Sequence, residues 1–174
     1  DVDHFRFSLK QGQRLNFEIE GIRLGFSLNN QNILDPYLAI LNAGRFEIVS
    51  SDDSALLQQD GLCTFVAPED GDYTLLVRDS SYGGSPLAGY RLHVGDFPRP
   101  IAVIPGGGTP GSLLNTKVVS IDGSVSDAAV QLPGEPQEQW GLSTESEAAI
   151  SPSPNWIRVN ELPVVMETEP NEDY

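Results

Sequence analysis

Three pairs of carboxylates punctuate the first half of the chain: Asp1/Asp3, Asp52/Asp53 and Asp70/Asp72. Clustered acidic oxygens are what a hard cation such as calcium takes as ligands, and two carboxyl groups facing across a cleft are what glycoside hydrolysis uses. No EF-hand pattern accompanies them. Asp52/Asp53 lies in a run of serines and Asp70/Asp72 flanks Gly71, settings in which a short carboxylate caps local backbone N–H groups, so turn chemistry explains these two pairs. A nucleophilic hydrolase needs a nucleophile, a base and an orienting group within reach of one another. The chain has two histidines, His4 and His93, and no Gly-x-Ser-x-Gly elbow. The one cysteine, Cys63, sits in Leu62-Cys63-Thr64-Phe65-Val66, where a small thiol suits a packed strand better than a reactive site. Gly106-Gly107-Gly108 lacks the lysine and hydroxyl residue of a phosphate-binding loop and reads as a flexible loop. Tyr82, in the Asp79-to-Gly84 loop, is a candidate contact to a protein or glycan, and Trp140 and Trp156 are the rings a carbohydrate-binding module would use.

The elements that position these residues are strands. Tyr73, Leu75 and Val77 alternate with Thr74, Leu76 and Arg78, the period-2 pattern of a strand with one buried face; the rest of the sheet is expected to pair around it. Phe5, Phe7 and Leu9 alternate in the same way, as do Leu15, Phe17 and Ile19 across the turn Gln11-Gly12-Gln13, so residues 4–20 are expected to form an antiparallel hairpin. Residues 21–32 read as a polar loop. Further strands follow at 34–41, with Pro36 at its beginning, at 46–49, around Cys63, and at 90–94, where His93 falls out of phase with Tyr90, Leu92 and Val94. After Asp96-Phe97-Pro98 the composition shifts; residues 117–121 and 156–159 read as strands separated by a polar stretch rich in Glu, Ser and Pro. The pattern predicts an all-β chain: an antiparallel β-sandwich of jelly-roll or Greek-key type over 1–97, a smaller β-rich segment over 98–163, and an acidic, extended tail over 164–174.

Composition narrows the partners. With 25 acidic against 10 basic residues, a formal charge of −15 repels nucleic acid and anionic lipid, while it suits calcium-containing or high-salt surroundings and serves solubility. A single cysteine excludes an internal disulfide. No apolar run is long enough to cross a bilayer, and the basic-then-apolar profile of a signal peptide is absent at residue 1, which reads as the interior of a longer protein.

Asp1-Val2-Asp3-His4-Phe5, Leu34-Asp35-Pro36-Tyr37-Leu38, Ser51-Asp52-Asp53, Ala67-Pro68-Glu69-Asp70-Gly71-Asp72-Tyr73 and Tyr90-Arg91-Leu92-His93-Val94 together resemble the bacterial pre-peptidase C-terminal domain over about residues 1–97. The resemblance implies a β-sandwich of a secreted or cell-surface bacterial protein, often appended to a peptidase, similar to collagenase collagen-binding domains and not itself catalytic. Ile104-Pro105-Gly106-Gly107 and Arg158-Val159-Asn160-Glu161-Leu162-Pro163 resemble the immunoglobulin-like spacer between such modules in planctomycete-type surface proteins. The family opens with a Glu-Pro-Asn segment and one strand, missing before Asp1; Glu167-Thr168-Glu169-Pro170-Asn171 looks like the start of a following copy. The resemblance therefore implies calcium half-sites, Asp1 and Asp3 in one module and Glu167, Glu169 and Asn171 in the next, neither complete and neither expected to hold the ion tightly. The expected role is that of spacer, stabiliser or protein- and matrix-binding accessory, whose partners are neighbouring domains and extracellular protein or glycan. A carbohydrate-binding module and a carboxylate-dependent hydrolase are the alternatives.

Overall fold

The computed structural model describes residues 1–25, 34–86, 88–147 and 149–167 and is built almost wholly from strands. It divides into two compact units, one of residues 1–97 with 147–152 and one of residues 98–146 with 153–174.

The first unit carries β1 (Val2–Leu9), β2 (Arg14–Glu20), a single helical turn α1 (Ile22–Gly25), β3 (Pro36–Leu41), β4 (Glu47–Ser51), β5 (Leu62–Val66), β6 (Gly71–Asp79) and β7 (Arg91–Gly95). They form a four-stranded sheet, β1-β6-β3-β4, and a three-stranded sheet, β5-β2-β7, all antiparallel. Alternation supplies the core between them: Tyr73, Leu75 and Val77 of β6 and Leu38 and Ile40 of β3 meet Phe17 and Ile19 of β2 and Cys63 and Phe65 of β5. The Phe65 ring stands edge-on to Tyr73 at 4.8 Å between centroids. The Tyr73 hydroxyl, which needs a partner once its ring is buried, donates to the Glu69 carbonyl at 2.8 Å.

The expected hairpin over residues 4–20 is not there. β1 pairs with β6 and β2 with β5 and β7, so the two strands lie in opposite layers. Phe7 and Phe17 face the same core from its two sides, ring centroids 5.4 Å apart. The intervening turn is fastened to the end of β5, with Gly12 N–H donating to the Ala67 carbonyl and Ala67 N–H to that of Gln13. Gly12 adopts φ 79° there, a left-handed conformation that glycine takes without steric cost. Of the polar loop expected over 21–32, the first residues instead form α1; residues 26–32 lie outside the described ones.

The second unit carries β8 (Pro100–Ile104), β9 (Gly107–Gly108), β10 (Leu113–Ser120), β11 (Val125–Gln131), β12 (Gln137–Leu142) and β13 (Asn155–Val159). Two three-stranded sheets, β11-β10-β8 and β12-β13-β9, enclose a small core of Leu114, Leu132, Leu142, Ile157 and Val159. The stretch read only as polar contains β11 and β12, and the triglycine read as a flexible loop is in part a strand. Gly107 and Gly108 pair in parallel with Arg158 and Val159, an approach so close that a Cβ on Gly107 would stand 2.3 Å from the Arg158 carbonyl oxygen. Glycine serves there because the backbones meet, not because the loop bends.

Candidate functional site

The antiparallel register that sets Asp3 opposite Val77 brings the amino-terminal turn to the far end of β6, beside the loop that leaves it. Asp1, Asp3, Asp79, Gly83 and Tyr90 line a recess of about 130 Å³ there. Each acidic group is engaged by the fold. The Tyr90 hydroxyl donates to Asp3 Oδ2 at 2.6 Å; burial first, and this bond second, hold the phenol's pKa above its ordinary value. Asp79 Oδ1 accepts from Ser81 N–H and Gly83 N–H, both at 3.0 Å, while Asp35 N–H approaches Oδ2 at 3.4 Å. The Ser80 hydroxyl closes the loop on Asp35 Oδ2 at 2.5 Å. Asp1 Oδ1 accepts from Val2 N–H at 2.9 Å. Asp79 thus folds its own loop by the local capping for which aspartate is favoured.

Tyr82 is 75% exposed, and one face of its ring is taken. The Arg78 guanidinium lies 4.0 Å from the Tyr82 centroid and 3.8 Å from that of Tyr37, a cation between two π faces. Arg78 Nη1 also donates to the Asp79 and Ser80 carbonyls. Tyr82 itself adopts φ 57°, left-handed backbone that a bulky side chain rarely takes.

Of the residues read as calcium ligands, Asp1, Asp3 and Glu167 are among the described ones. Calcium takes about six to eight oxygens, yet among the described residues no group of three His, Cys, Asp or Glu side chains is placed to hold a metal ion. Asp1 and Asp3 share the recess, with Asp3 held by Tyr90. Glu167 is exposed, and Glu169 and Asn171 lie outside the described residues.

The remaining candidates are dispersed. Asp52 Oδ1 caps Asp53 N–H at 3.0 Å. Asp70 accepts from Gln11 N–H at 2.8 Å and Lys10 Nζ at 2.9 Å, and these bonds, the backbone one foremost, lower its pKa. Asp72 accepts from the Ser8 hydroxyl and the Arg6 guanidinium and is lowered likewise. A depressed carboxyl is the opposite of what a general acid near neutral pH needs. His93 Nε2 lies 2.7 Å from Glu20 Oε1, and Arg91 shares that carboxylate; His4 lines a separate recess with Arg6, Arg45 and Thr74. Burial pushes the Cys63 thiol up to about 12, which leaves it un-ionised and unreactive at neutral pH.

One polar group was not legible in sequence. Glu18 and Asp60 are fully buried. Asp60 Oδ1 accepts from Gly21 N–H and Ile22 N–H, its other oxygen bonds Arg23 Nε, and Arg23 Nη2 reaches the Ile19 carbonyl at 2.9 Å and Glu18 at 3.5 Å. Glu18 alternates with Phe17 and Ile19 and so reads as solvent-facing; the chain that follows β2 supplies the arginine that partners it. Asp60 next to Gly61 was the available signal, since the pair reads as a turn.

Residues 1–79 match the family model of the bacterial pre-peptidase C-terminal domain. The match takes in β1 to β6 and stops at Asp79, so Asp1, Asp3, Asp35 and Asp79 lie within it and Tyr82 and Tyr90 beyond it. No curated protein matches the chain. The pre-peptidase C-terminal domain is a β-rich, non-catalytic associated domain that occurs in secreted proteins. Among the described residues no helix is long and apolar enough to cross a membrane.

Proposed function

We propose that this chain is a non-catalytic segment of a secreted or cell-surface multidomain protein, in which the pre-peptidase C-terminal-like unit acts as spacer, stabiliser or protein- and matrix-binding accessory. The observation that supports it is the use made of the acidic residues: Asp3, Asp35, Asp70, Asp72 and Asp79 each accept from a backbone N–H or a neighbouring side chain, an arrangement that fastens strand ends and loops. The second unit we read as the immunoglobulin-like spacer of planctomycete-type surface proteins, on the two motifs that resemble it. A panel of peptide and glycoside substrates tests the reading. The expected result is no turnover above buffer; turnover abolished by Asp52→Ala or Asp70→Ala would make the chain a carboxylate-dependent hydrolase instead. For calcium we propose weak binding at most, because Asp1 and Asp3 supply few of the oxygens the ion takes. An ion that binds only the folded state raises the melting temperature, so calorimetry with calcium and with chelator should give superimposable curves.

A further inference from the structure

The outer face of β13 differs from the rest of this acidic surface. Asn155, Ile157 and Val159 point into the core, and Trp156 and Arg158 alternate outward, the indole 58% exposed. The neighbouring strands contribute glycine beside each: Gly141 of β12 pairs with Trp156 and Gly107 of β9 with Arg158. A Cβ at Gly141 would stand 3.2 Å from the Trp156 ring, so the ring passes over bare backbone. The register shift between Gln137 and Trp140 sets Glu138 near Arg158, with Oε2 3.2 Å from Nε. Gly107, Glu138, Trp156 and Arg158, with Gln139 and Asn160, line an open groove of about 540 Å³, within the range of about 300–1,000 Å³ usual for small-molecule sites.

Charge and shape select the ligand. Glu138 and Arg158 are the charged groups lining the groove, and they cancel, so it offers nothing to a phosphate, a metal ion or a polyanion. The β9 edge beside it is two residues long, too short for an extended peptide to add as a strand. A pyranose ring has a C–H face that lies on an indole and a rim of hydroxyls that both donate and accept. Glu138 accepts, Arg158 donates, and the amides of Gln139 and Asn160 do both. We infer that the Trp156 groove of the second unit binds a neutral oligosaccharide, with the indole as its stacking platform.

The test uses the full chain, whose two tryptophans give two indole N–H resonances. Titration with hexasaccharides of the cellulose, xylan, mannan and chitin types should shift the Trp156 signal saturably with at least one sugar. Trp156→Ala should weaken that sugar about tenfold or more by calorimetry, a factor set by about 1.4 kcal/mol, with the circular dichroism spectrum unchanged. Should Trp156→Ala fail to fold, Gln139→Ala, an exposed change, should still weaken binding at least about threefold. The inference is overturned if no sugar moves the Trp156 resonance, if the foldable variant binds as tightly as the native chain, or if a proline-rich peptide shifts the resonance and the sugars do not. Turnover of a bound sugar would overturn the non-catalytic reading alone, whereas absence of binding would overturn this inference alone.

Discussion

Asp72 stands at the start of β6, where it joins β1 through Ser8 and Arg6. Its pKa is lowered in the folded chain, so folded Asp72 holds its proton less tightly than the unfolded chain does. Its contribution to stability is present above the ordinary carboxylate value of about 3.9 and is lost as pH falls through the lower, folded value. Asp70 behaves in the same sense. Melting curves of the native chain and of Asp72→Asn, taken from about pH 6 to about pH 2.5, should therefore converge: the variant is the less stable at the upper end and loses less on acidification. A gap that stays constant would mean that the carboxylate's charge is irrelevant there. The turn role of Asp52 was legible because Asp beside Ser has few better uses. Asp70 and Asp72, read the same way, instead bond Gln11 and Lys10, and Ser8 and Arg6, partners in and just after β1 that no local reading supplies. The stacking of Tyr82 on Arg78 was not legible either, since it depends on Tyr37 arriving from a strand far away in sequence.

At the scale of elements, alternation named the buried face of β6, Tyr73, Leu75 and Val77, and did not name the strand's neighbours. Phe7 and Phe17 both announce a core, and nothing in the spacing says whether they share a sheet or face each other across it. A three-residue turn made the hairpin the simpler reading, but the turn is fastened to Ala67, which accepts from Gly12 N–H and donates to the Gln13 carbonyl. β11 was missed for a different reason: Val125-Ser126-Asp127-Ala128-Ala129-Val130 buries too little to show an apolar period, and pairing with β10 holds it extended. β6, bonded on both edges, should be the least tolerant element. Leu75, 1% exposed between the two layers, should cost about 2–5 kcal/mol on Leu75→Ala through lost burial and the cavity left behind. Gly107→Ala should cost about 1–3 kcal/mol by forcing β9 away from β13. Urea unfolding of both variants checks the pair of values, and a Gly107→Ala chain as stable as the native would mean that β9 can part from β13 without loss.

For the whole molecule, the arrangement of elements predicts where a protease enters. Residues 161–167 follow β13, lie exposed and belong to neither sheet of their unit, so limited digestion with a nonspecific protease should trim that stretch first. Mass spectrometry should find β1 to β7 intact while the tail shortens; early fragments beginning within Gly71–Asp79 would contradict the central place of β6. That same strand sets an order of events during synthesis. Val2 pairs with Arg78 and Leu9 with Gly71, so β1 cannot make this pairing until β6 has emerged, an interval of seconds at about 5–20 residues per second. Contacts so distant along the chain also slow closure of the sheet. Until then the Phe5, Phe7 and Leu9 face of β1 lacks its β6 neighbour and is open to another nascent chain. Arg6, Ser8 and Lys10 break the run at every second residue, and side chains of that kind act as gatekeepers against such pairing. The cations that later bind Asp72 and Asp70 thus have an earlier use, keeping the newborn strand soluble until its partner arrives.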